Sequence, residues 1–257
     1  MTMALEPYIR NRREKKDILL MTHVVLGYPS MEDSFRIIET MVAAGVDLME
    51  LQIPFSEPIA DGPVIVRANQ EALQQGVGVK ACLDLAEAVA RTFDIPFLIM
   101  TYYNILFCYG VDDFVSAMSE RGVQGSIVPD LPPEEGHAYL KAMQSHDLAP
   151  ILIFSPTTSD ERMKQITAHA RGFVYCVARK GVTGADTVFS NDLVQYLGRC
   201  RKASDLPLAV GFGIKDRADV DFLRGKADIA VIGTQTIRMV EEKGVASVGR
   251  FVRALRV

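Results

Sequence analysis

Short apolar runs recur along the chain, and the stretches between them are long enough to hold at least one helix each. Each run has four to nine residues and is nearly continuous in apolar character. Continuous runs of this length are typical of parallel strands that are covered on both faces. The eight runs are residues 18–26, 46–53, 95–101, 125–128, 149–154, 172–177, 207–212 and 228–232. This pattern favours a fold built on a parallel sheet.

The intervening stretches have helical spacing. One helical face of the stretch 30–44 collects the apolar residues Phe35, Ile38, Met41 and Val42. Ser30 is placed to cap this helix and Gly45 to end it. Similar spacing predicts helices near residues 62–75, 79–92, 111–121, 133–146, 159–170, 190–202, 216–223 and 235–254.

Strict alternation of eight strands with at least eight helices predicts a single (β/α)8 TIM barrel. No Gly/Ser linker or change in composition divides the chain, so residues 1–257 are expected to form one domain. The charged, amphipathic stretch before the first run is expected to add an N-terminal helix. The alternative is an open doubly wound sheet, but the first run is followed by "LGYPSMED" rather than a G-x-G-x-x-G fingerprint.

Composition narrows the class of protein. With 49% apolar residues and a net charge of −4, the chain resembles a soluble enzyme and is a poor candidate for non-specific nucleic-acid binding. No apolar run approaches the ~18 residues of a membrane span, and the N-terminal stretch does not read as a secretory signal. Four cysteines without pairing or metal spacing favour a cytoplasmic protein. The four histidines are also dispersed, so no metal site is expected.

Two acidic residues lie close together in "MELQIPFSEPIADGP", residues 49–63. Glu50 falls near the carboxyl end of the second run, where a barrel places its active site, and Asp61 follows on a loop stiffened by three prolines. Two carboxylates in different surroundings suit general acid–base catalysis. In the structural alternatives, Glu50 pairs with a cation such as Arg179, and Asp61 caps the helix that begins near Pro63.

Glycine-rich segments end the seventh and eighth runs, as "AVGFGIKD" and "AVIGTQTI". In a barrel these two loops are a frequent phosphate site, because backbone N–H groups and a helix N-terminus point at the same place. The residues expected to hold a phosphate are therefore Gly211, Gly213, Gly233 and Thr234. Alternatively, these glycines only form tight turns.

A longer loop, "ARKGVTGADTVFS", follows the sixth run. It contains Arg179, Gly181 and Gly184, and its length would allow it to move and close over a ligand. Alternatively, Arg179 and Lys180 are ordinary solvated charges.

Four motifs together, "PFSEPIADGP", "VPDLPPEE", "RKGVTGA" and "VGFGI", resemble the tryptophan synthase alpha chain family, the indole-3-glycerol-phosphate lyases. The resemblance extends through almost the whole chain. It implies retro-aldol cleavage of indole-3-glycerol phosphate to indole and glyceraldehyde 3-phosphate, with no cofactor in this chain. It also implies a pyridoxal-phosphate-dependent beta chain as the partner in an α₂β₂ complex, to which the indole passes.

The same resemblance implies a role for each matching residue. Glu50 is the acid–base residue, and Asp61 is the carboxylate that meets the indole N–H. The positions implied to contact the substrate, or to align Asp61 in the case of Thr183, are Tyr102, Tyr175, Thr183, Phe212, Gly213, Gly233 and Thr234. Arg179, Gly181 and Gly184 belong to the mobile loop.

Several residues depart from the family pattern. Gln52 stands where a small residue is usual, and Glu57 replaces a usual Asp, both in the segment that leads to Asp61. His23 replaces a usually apolar residue of the indole pocket. Met100 and Thr234 stand where Leu and Ser are common.

Three other functions remain open from sequence. The first is a Schiff-base aldolase that uses Lys180 or Lys215 as its nucleophile. The second is a catalytically weak module that mainly activates a beta chain. The third is an enzyme that produces indole without any partner.

Overall fold

The computed structural model describes residues 4–178, 191–211 and 213–256. Eight parallel strands pair in chain order, and β1 also pairs with β8, so the sheet closes into a barrel. The strands are β1 Leu19–Val25, β2 Leu48–Gln52, β3 Phe97–Met100, β4 Gly125–Ile127, β5 Ala149–Phe154, β6 Val174–Val177, β7 Leu208–Gly211 and β8 Ile229–Ile232. The predicted TIM barrel is confirmed, and the alternative of an open sheet is wrong.

Twelve helices within the described residues surround or cap this barrel. They are α1 Leu5–Lys15, α2 Met31–Ala43, α3 Pro63–Gln74, α4 Val79–Thr92, α5 Tyr103–Tyr109, α6 Val111–Glu120, α7 His137–Ser145, α8 Asp160–Thr167, α9 Asn191–Ala203, α10 Arg217–Leu223, α11 Thr234–Lys243 and α12 Ala246–Ala254. No helix in these ranges is long and apolar enough to cross a membrane.

Strand residues divide by alternation into two apolar cores. One set, including Leu19, Met21 and Leu48, packs inside the barrel. The other set, including Leu20, Val24 and Leu51, packs between the strands and the outer helices. The predicted N-terminal helix, α1, contributes Leu5 and Ile9 to the inner core, so it closes the end of the barrel opposite the carboxyl ends of the strands.

Local sequence explains how α2 begins and ends. The Ser30 hydroxyl accepts a hydrogen bond from the Asp33 N–H at 3.0 Å, which satisfies one free amide of the first turn. After the helix, Gly45 has φ of +94°, a conformation that a side chain would disfavour. Both predicted ends of this helix are therefore confirmed.

The helices differ from the prediction in three places. The α5 helix was not predicted, because its seven residues "YNILFCY" are mostly apolar on every side and show no helical period. The predicted helix over 235–254 is two helices, since Gly244 interrupts it with φ of +74°. The α7 helix begins only at His137, because a turn occupies the residues after Pro132 and Pro133.

Candidate active site

Glu50 lies on β2 and is 4% exposed. The register of β1 and β2 places His23 directly opposite, and His23 Nδ1 lies 3.0 Å from Glu50 Oε1. The other carboxylate oxygen, Oε2, is buried and has no hydrogen-bond partner among the described residues. The alternative partner, Arg179, lies outside the described residues. In the described part of the chain, Glu50 therefore has one oxygen held by His23 and one available to a ligand.

The charge state of His23 is decided by opposing effects. Burial by itself lowers the pKa of His23, because it disfavours the charged ring. The hydrogen bond and negative charge of Glu50, together with the charge of Asp61, outweigh burial and raise the pKa of His23 above its ordinary value. The pair is therefore suited to hold an imidazolium beside a carboxylate.

Asp61 lies on the loop between β2 and α3 and is 8% exposed. Its Oδ2 accepts hydrogen bonds from Gln52 Nε2 at 2.7 Å and from the Tyr102 hydroxyl at 2.9 Å. The N-cap residue of α3 is Gly62 and not Asp61, so the alternative that Asp61 caps this helix is wrong. Burial raises the pKa of Asp61, although the charge of His23 and these two donors oppose the shift.

The two tyrosines have different positions. Tyr102 is fully buried beneath the loop, where its ring stacks on Phe55 and its hydroxyl also accepts the Ala60 N–H at 3.2 Å. It therefore supports Asp61 from behind. Tyr175 on β6 lines the cavity itself. A β-carbon at position 211 would lie 2.5 Å from the Tyr175 ring. Close packing against this ring therefore explains why residue 211 is a glycine.

A single cavity joins most of the described candidates, with an empty volume of about 930 Å³ that includes its open mouth. This size is in the range of small-molecule sites. The predicted residues that line it are Glu50, Asp61, Tyr175, Gly213, Gly233 and Thr234. Apolar side chains form the walls between them: Ile65, Met100, Ile127, Ile153, Ile214 and Val231.

One end of this cavity has the character of an anion site. Gly233 is the N-cap of α11, and Thr234 and Gln235, the first residues of that helix, line the cavity. The positive end of a helix favours an anion at such a place. Lys215 and Arg238 line the same cavity and add positive charge.

Some residues that line the cavity were not predicted from the sequence. Arg238 was missed, although it lies four residues after Thr234 and therefore one helical turn further along α11. His23 was identified only as a departure from the family pattern, and its contact with Glu50 depends on the strand register. Five predicted site positions lie outside the described residues: Thr183, Phe212, Arg179, Gly181 and Gly184.

Together these features define a class of protein. A closed parallel barrel with buried carboxylates at one part of its mouth, and glycines, a helix N-terminus and cations at another, is a TIM-barrel enzyme.

Comparison with known proteins identifies the family. The model of the tryptophan synthase alpha chain family matches residues 9–253. A tryptophan synthase alpha chain of Desulforapulum autotrophicum is 63% identical over 251 residues, which cover 98% of this chain and 99% of the relative. That of Syntrophotalea carbinolica is 60% identical over 252 residues, which cover 98% of this chain and 100% of the relative. This chain belongs to the tryptophan synthase alpha chain family.

Solved structures agree with this membership. Tryptophan synthase of Mycobacterium tuberculosis matches with a TM-score of 0.91 at 32% identity, covering 100% of both chains. Tryptophan synthase subunit alpha of Legionella pneumophila matches with a TM-score of 0.89 at 30% identity, covering 98% of this chain and 97% of that one. The resemblance drawn from the four sequence motifs is confirmed.

Proposed function

We propose that this chain is a carbon–carbon lyase that cleaves indole-3-glycerol phosphate to indole and glyceraldehyde 3-phosphate. The observation that carries the proposal is the shared cavity. Glu50 and Asp61 lie in it, and so do the glycines, helix N-terminus and cations of an anion site. A substrate with an aromatic ring at one end and a phosphate at the other matches this polarity.

Glu50 is proposed to move the proton. The substrate hydroxyl next to the breaking bond must lose a proton as the aldehyde forms, and the indole carbon C3 must gain one. Oε2 of Glu50 is free of hydrogen bonds to described residues, so it can accept the first proton and supply the second. Glu50 therefore takes up one proton and gives up one proton, so its protonation state is the same before and after the reaction.

Asp61 is proposed to stabilise the ring cation. Protonation at C3 makes the indole ring positive, and its N–H then seeks an anionic acceptor. Asp61 is held at Oδ2 by Gln52 and Tyr102, so its position is set before the substrate arrives. Buried and poorly solvated, it gains more from a nearby cation than an exposed carboxylate would.

The phosphate is proposed to bind at the glycine-rich end of the cavity. Gly213, Gly233 and Thr234 would supply main-chain donors, while Arg238 and Lys215 supply positive charge. Binding energy gained there, away from the reacting bond, can hold the reacting carbon near Glu50. These steps need no cofactor in this chain, since proton transfer and charge stabilisation come from side chains.

Substitution of the carboxylates tests the proposal. Glu50→Gln and Asp61→Asn keep side-chain shape but remove the acid–base group and the anion. We expect each to lower kcat for indole release roughly 10²- to 10⁴-fold, measured by the appearance of indole from indole-3-glycerol phosphate. Asp17→Asn, at a side chain that is 84% exposed on the opposite end of the barrel, is the control and should retain full activity.

Binding of inorganic phosphate should remain in both active-site variants, because neither carboxylate belongs to the anion end. Substantial indole release by Glu50→Gln would count against the proposal. Borohydride treatment with a triose phosphate should give no covalent adduct; an adduct at Lys215 or Lys180 would favour a Schiff-base aldolase instead.

We also propose a beta chain as the partner, in an α₂β₂ complex in which the beta chain carries pyridoxal phosphate. Two large apolar side chains are exposed beyond neighbouring strands β2 and β3: Ile59 at 72% and Phe107 at 68%. Such exposure favours a protein contact. Ile105, on the same helix as Phe107, is partly buried. Glu57 is exposed on the same loop, whereas Gln52 is fully buried against Asp61.

Mixing this chain with a cognate beta chain should give a complex on size-exclusion chromatography and faster indole release than this chain alone. Phe107→Ser should weaken co-elution, because it removes apolar contact area. Val194→Ser, at a partly exposed site on α9, is the matched control. Undiminished co-elution of the Phe107 variant would contradict this surface, and stimulation without any indole release by this chain would favour the activating-module alternative.

A further inference from the structure

Each of the two carboxylates is held at one oxygen by a side chain from the same strand pair. Glu50 Oε1 lies 3.0 Å from His23 Nδ1, and Asp61 Oδ2 accepts from Gln52 Nε2 at 2.7 Å. Gln52 follows Glu50 by two residues on β2, so both side chains lie on one face of the strand. The holding groups of the two carboxylates are therefore neighbours.

Two complementary atoms of these holding groups lack partners. His23 Nε2 and Gln52 Oε1 are both buried, and neither has a hydrogen-bond partner among the described residues. An ionised Asp61 can only accept, so the amide nitrogen of Gln52 must be the atom facing it, which leaves the Gln52 carbonyl as a free acceptor. A buried acceptor of this kind favours a nearby N–H donor.

The protonation of the His23 ring decides whether that donor exists. In the neutral ring with Nδ1–H directed at Glu50, Nε2 carries no proton and meets no donor. In the doubly protonated ring, Nε2–H is a donor for which the unpaired carbonyl of Gln52 would be the acceptor. The raised pKa of His23 agrees with a doubly protonated ring. Glu50, Asp61 and Gln52 all raise this pKa, whereas burial lowers it.

We infer that His23 is doubly protonated in the resting protein and, together with Gln52, forms a polar bridge between Glu50 and Asp61, with His23 acting as a positioning residue for Glu50. The bridge fixes Oε1 of Glu50 and leaves Oε2 to exchange protons with a substrate. The catalytic part of this inference rests on the proposed lyase function, whereas the protonation state does not.

Other titratable and charged groups near the bridge come from five further elements or loops of the described chain. They are Tyr28 after β1, Tyr102 after β3, Tyr175 on β6, Lys215 after β7 and Arg238 on α11. Tyr175 stays protonated, because burial and the charges of Glu50 and Asp61 raise its pKa well above the ordinary value. Among the described residues, Glu50 and Asp61 are the anions whose charges raise the pKa of His23.

Nitrogen NMR of the histidine rings tests the protonation state without any substrate. Of the four histidines, His137 and His169 are exposed and His146 is partly exposed, so loss of one signal set in His23→Asn assigns His23. We expect both ring nitrogens of His23 to carry protons at neutral pH, with a titration midpoint that falls in Glu50→Gln. A neutral ring at that pH, or an unchanged midpoint in Glu50→Gln, would overturn the inference.

Kinetics tests the positioning role. Asparagine at position 23 can place a donor near the site of Nδ1, whereas phenylalanine cannot. We expect His23→Phe to lower kcat for indole release roughly tenfold, as expected for a lost hydrogen bond to a charged group, with little change in KM, and His23→Asn to recover part of the loss. The wild-type kcat should also fall as pH rises through the raised pKa of His23, and neither variant should show that fall.

Failure of the proposed lyase function and failure of the positioning role of His23 give different results. If the wild type releases no indole, the proposed function fails while the NMR result still decides the protonation state. If the wild type is active and His23→Phe matches it in kcat and pH profile, the positioning role is wrong. Thermal melting of both variants shows whether a lower kcat reflects unfolding, and the Asn variant keeps the test decisive if the Phe variant does not fold.

Discussion

At the scale of single residues, burial of charged groups in the cavity weakens the fold. Asp61 is the clearest example, because burial raises its pKa despite two hydrogen-bond donors and the charge of His23. A carboxyl group whose pKa is raised on folding is more easily protonated in the folded state than in the unfolded state. Its ionised form therefore lowers the free energy of unfolding, and it does so only above the pH at which the group ionises.

Asp61→Asn should consequently alter stability in a pH-dependent way. Relative to the variant, the wild type is most stable below the unfolded-state pKa and loses stability as pH rises through the raised folded-state value. We expect the variant to have the higher free energy of unfolding near neutral pH and the difference to shrink toward about pH 4. Urea unfolding across this range measures it. A wild type that is the more stable protein at neutral pH would contradict the argument.

Some features of the candidate site could be predicted from the sequence and others could not, for physical reasons. Glu50 and Asp61 stand out because an acid in an apolar run and an acid on a proline-rich loop are local features of the chain. The contact of His23 with Glu50 depends on the register of two strands, and that of Gln52 with Asp61 depends on how the loop folds back. Neither contact can be predicted from a single short stretch of sequence.

At the scale of elements, the end of the barrel opposite the cavity is tied together by Asp47. This side chain is fully buried, and it pairs with Lys16 at 2.5 Å, Arg256 at 2.7 Å and Arg12 at 3.2 Å. It also accepts the Leu20 N–H at 3.0 Å. One carboxylate thus links α1, β1 and the residues after α12, at the end of the barrel opposite the proposed active site.

Asp47→Ala should destabilise the fold without changing the chemistry. Removal of the shared anion leaves three cations close together and one buried amide without its partner, for which we expect a loss of about 3 kcal/mol in the free energy of unfolding. Chemical denaturation measures the loss, and kcat of the remaining folded protein should stay near that of the wild type. Asp17→Ala, at the exposed ion pair with Arg224 on the same end, should change little. Equal effects of the two substitutions would contradict the role of Asp47.

Elements were predicted well where their signal is local and periodic. All eight strands were found, because each apolar run is short and bounded by polar residues. The α5 helix was missed, because a helix with Leu106 fully buried and Phe107 exposed, both apolar, shows no alternation between apolar and polar faces. The break between α11 and α12 depends on one glycine, which a continuous helical pattern conceals.

At the scale of the whole molecule, closure of the barrel brings together residues that are far apart in the chain. His23 near the start and Arg238 near the end line one cavity because β1 pairs with β8. The alternation of runs predicted this closure, because eight parallel strands that alternate with helices form a closed barrel. The shape of the cavity could not be predicted, because it depends on which side chains from seven or more segments meet.

The most direct test of this account is the structure of Glu50→Gln crystallised with indole-3-glycerol phosphate. Because the substitution is expected to slow cleavage, the intact substrate should be seen in the cavity. We expect its phosphate beside Gly213, Gly233 and Thr234, its indole N–H within hydrogen-bond distance of Asp61, and the reacting carbon beside position 50. A phosphate bound elsewhere, or an indole ring that does not reach Asp61, would contradict the account.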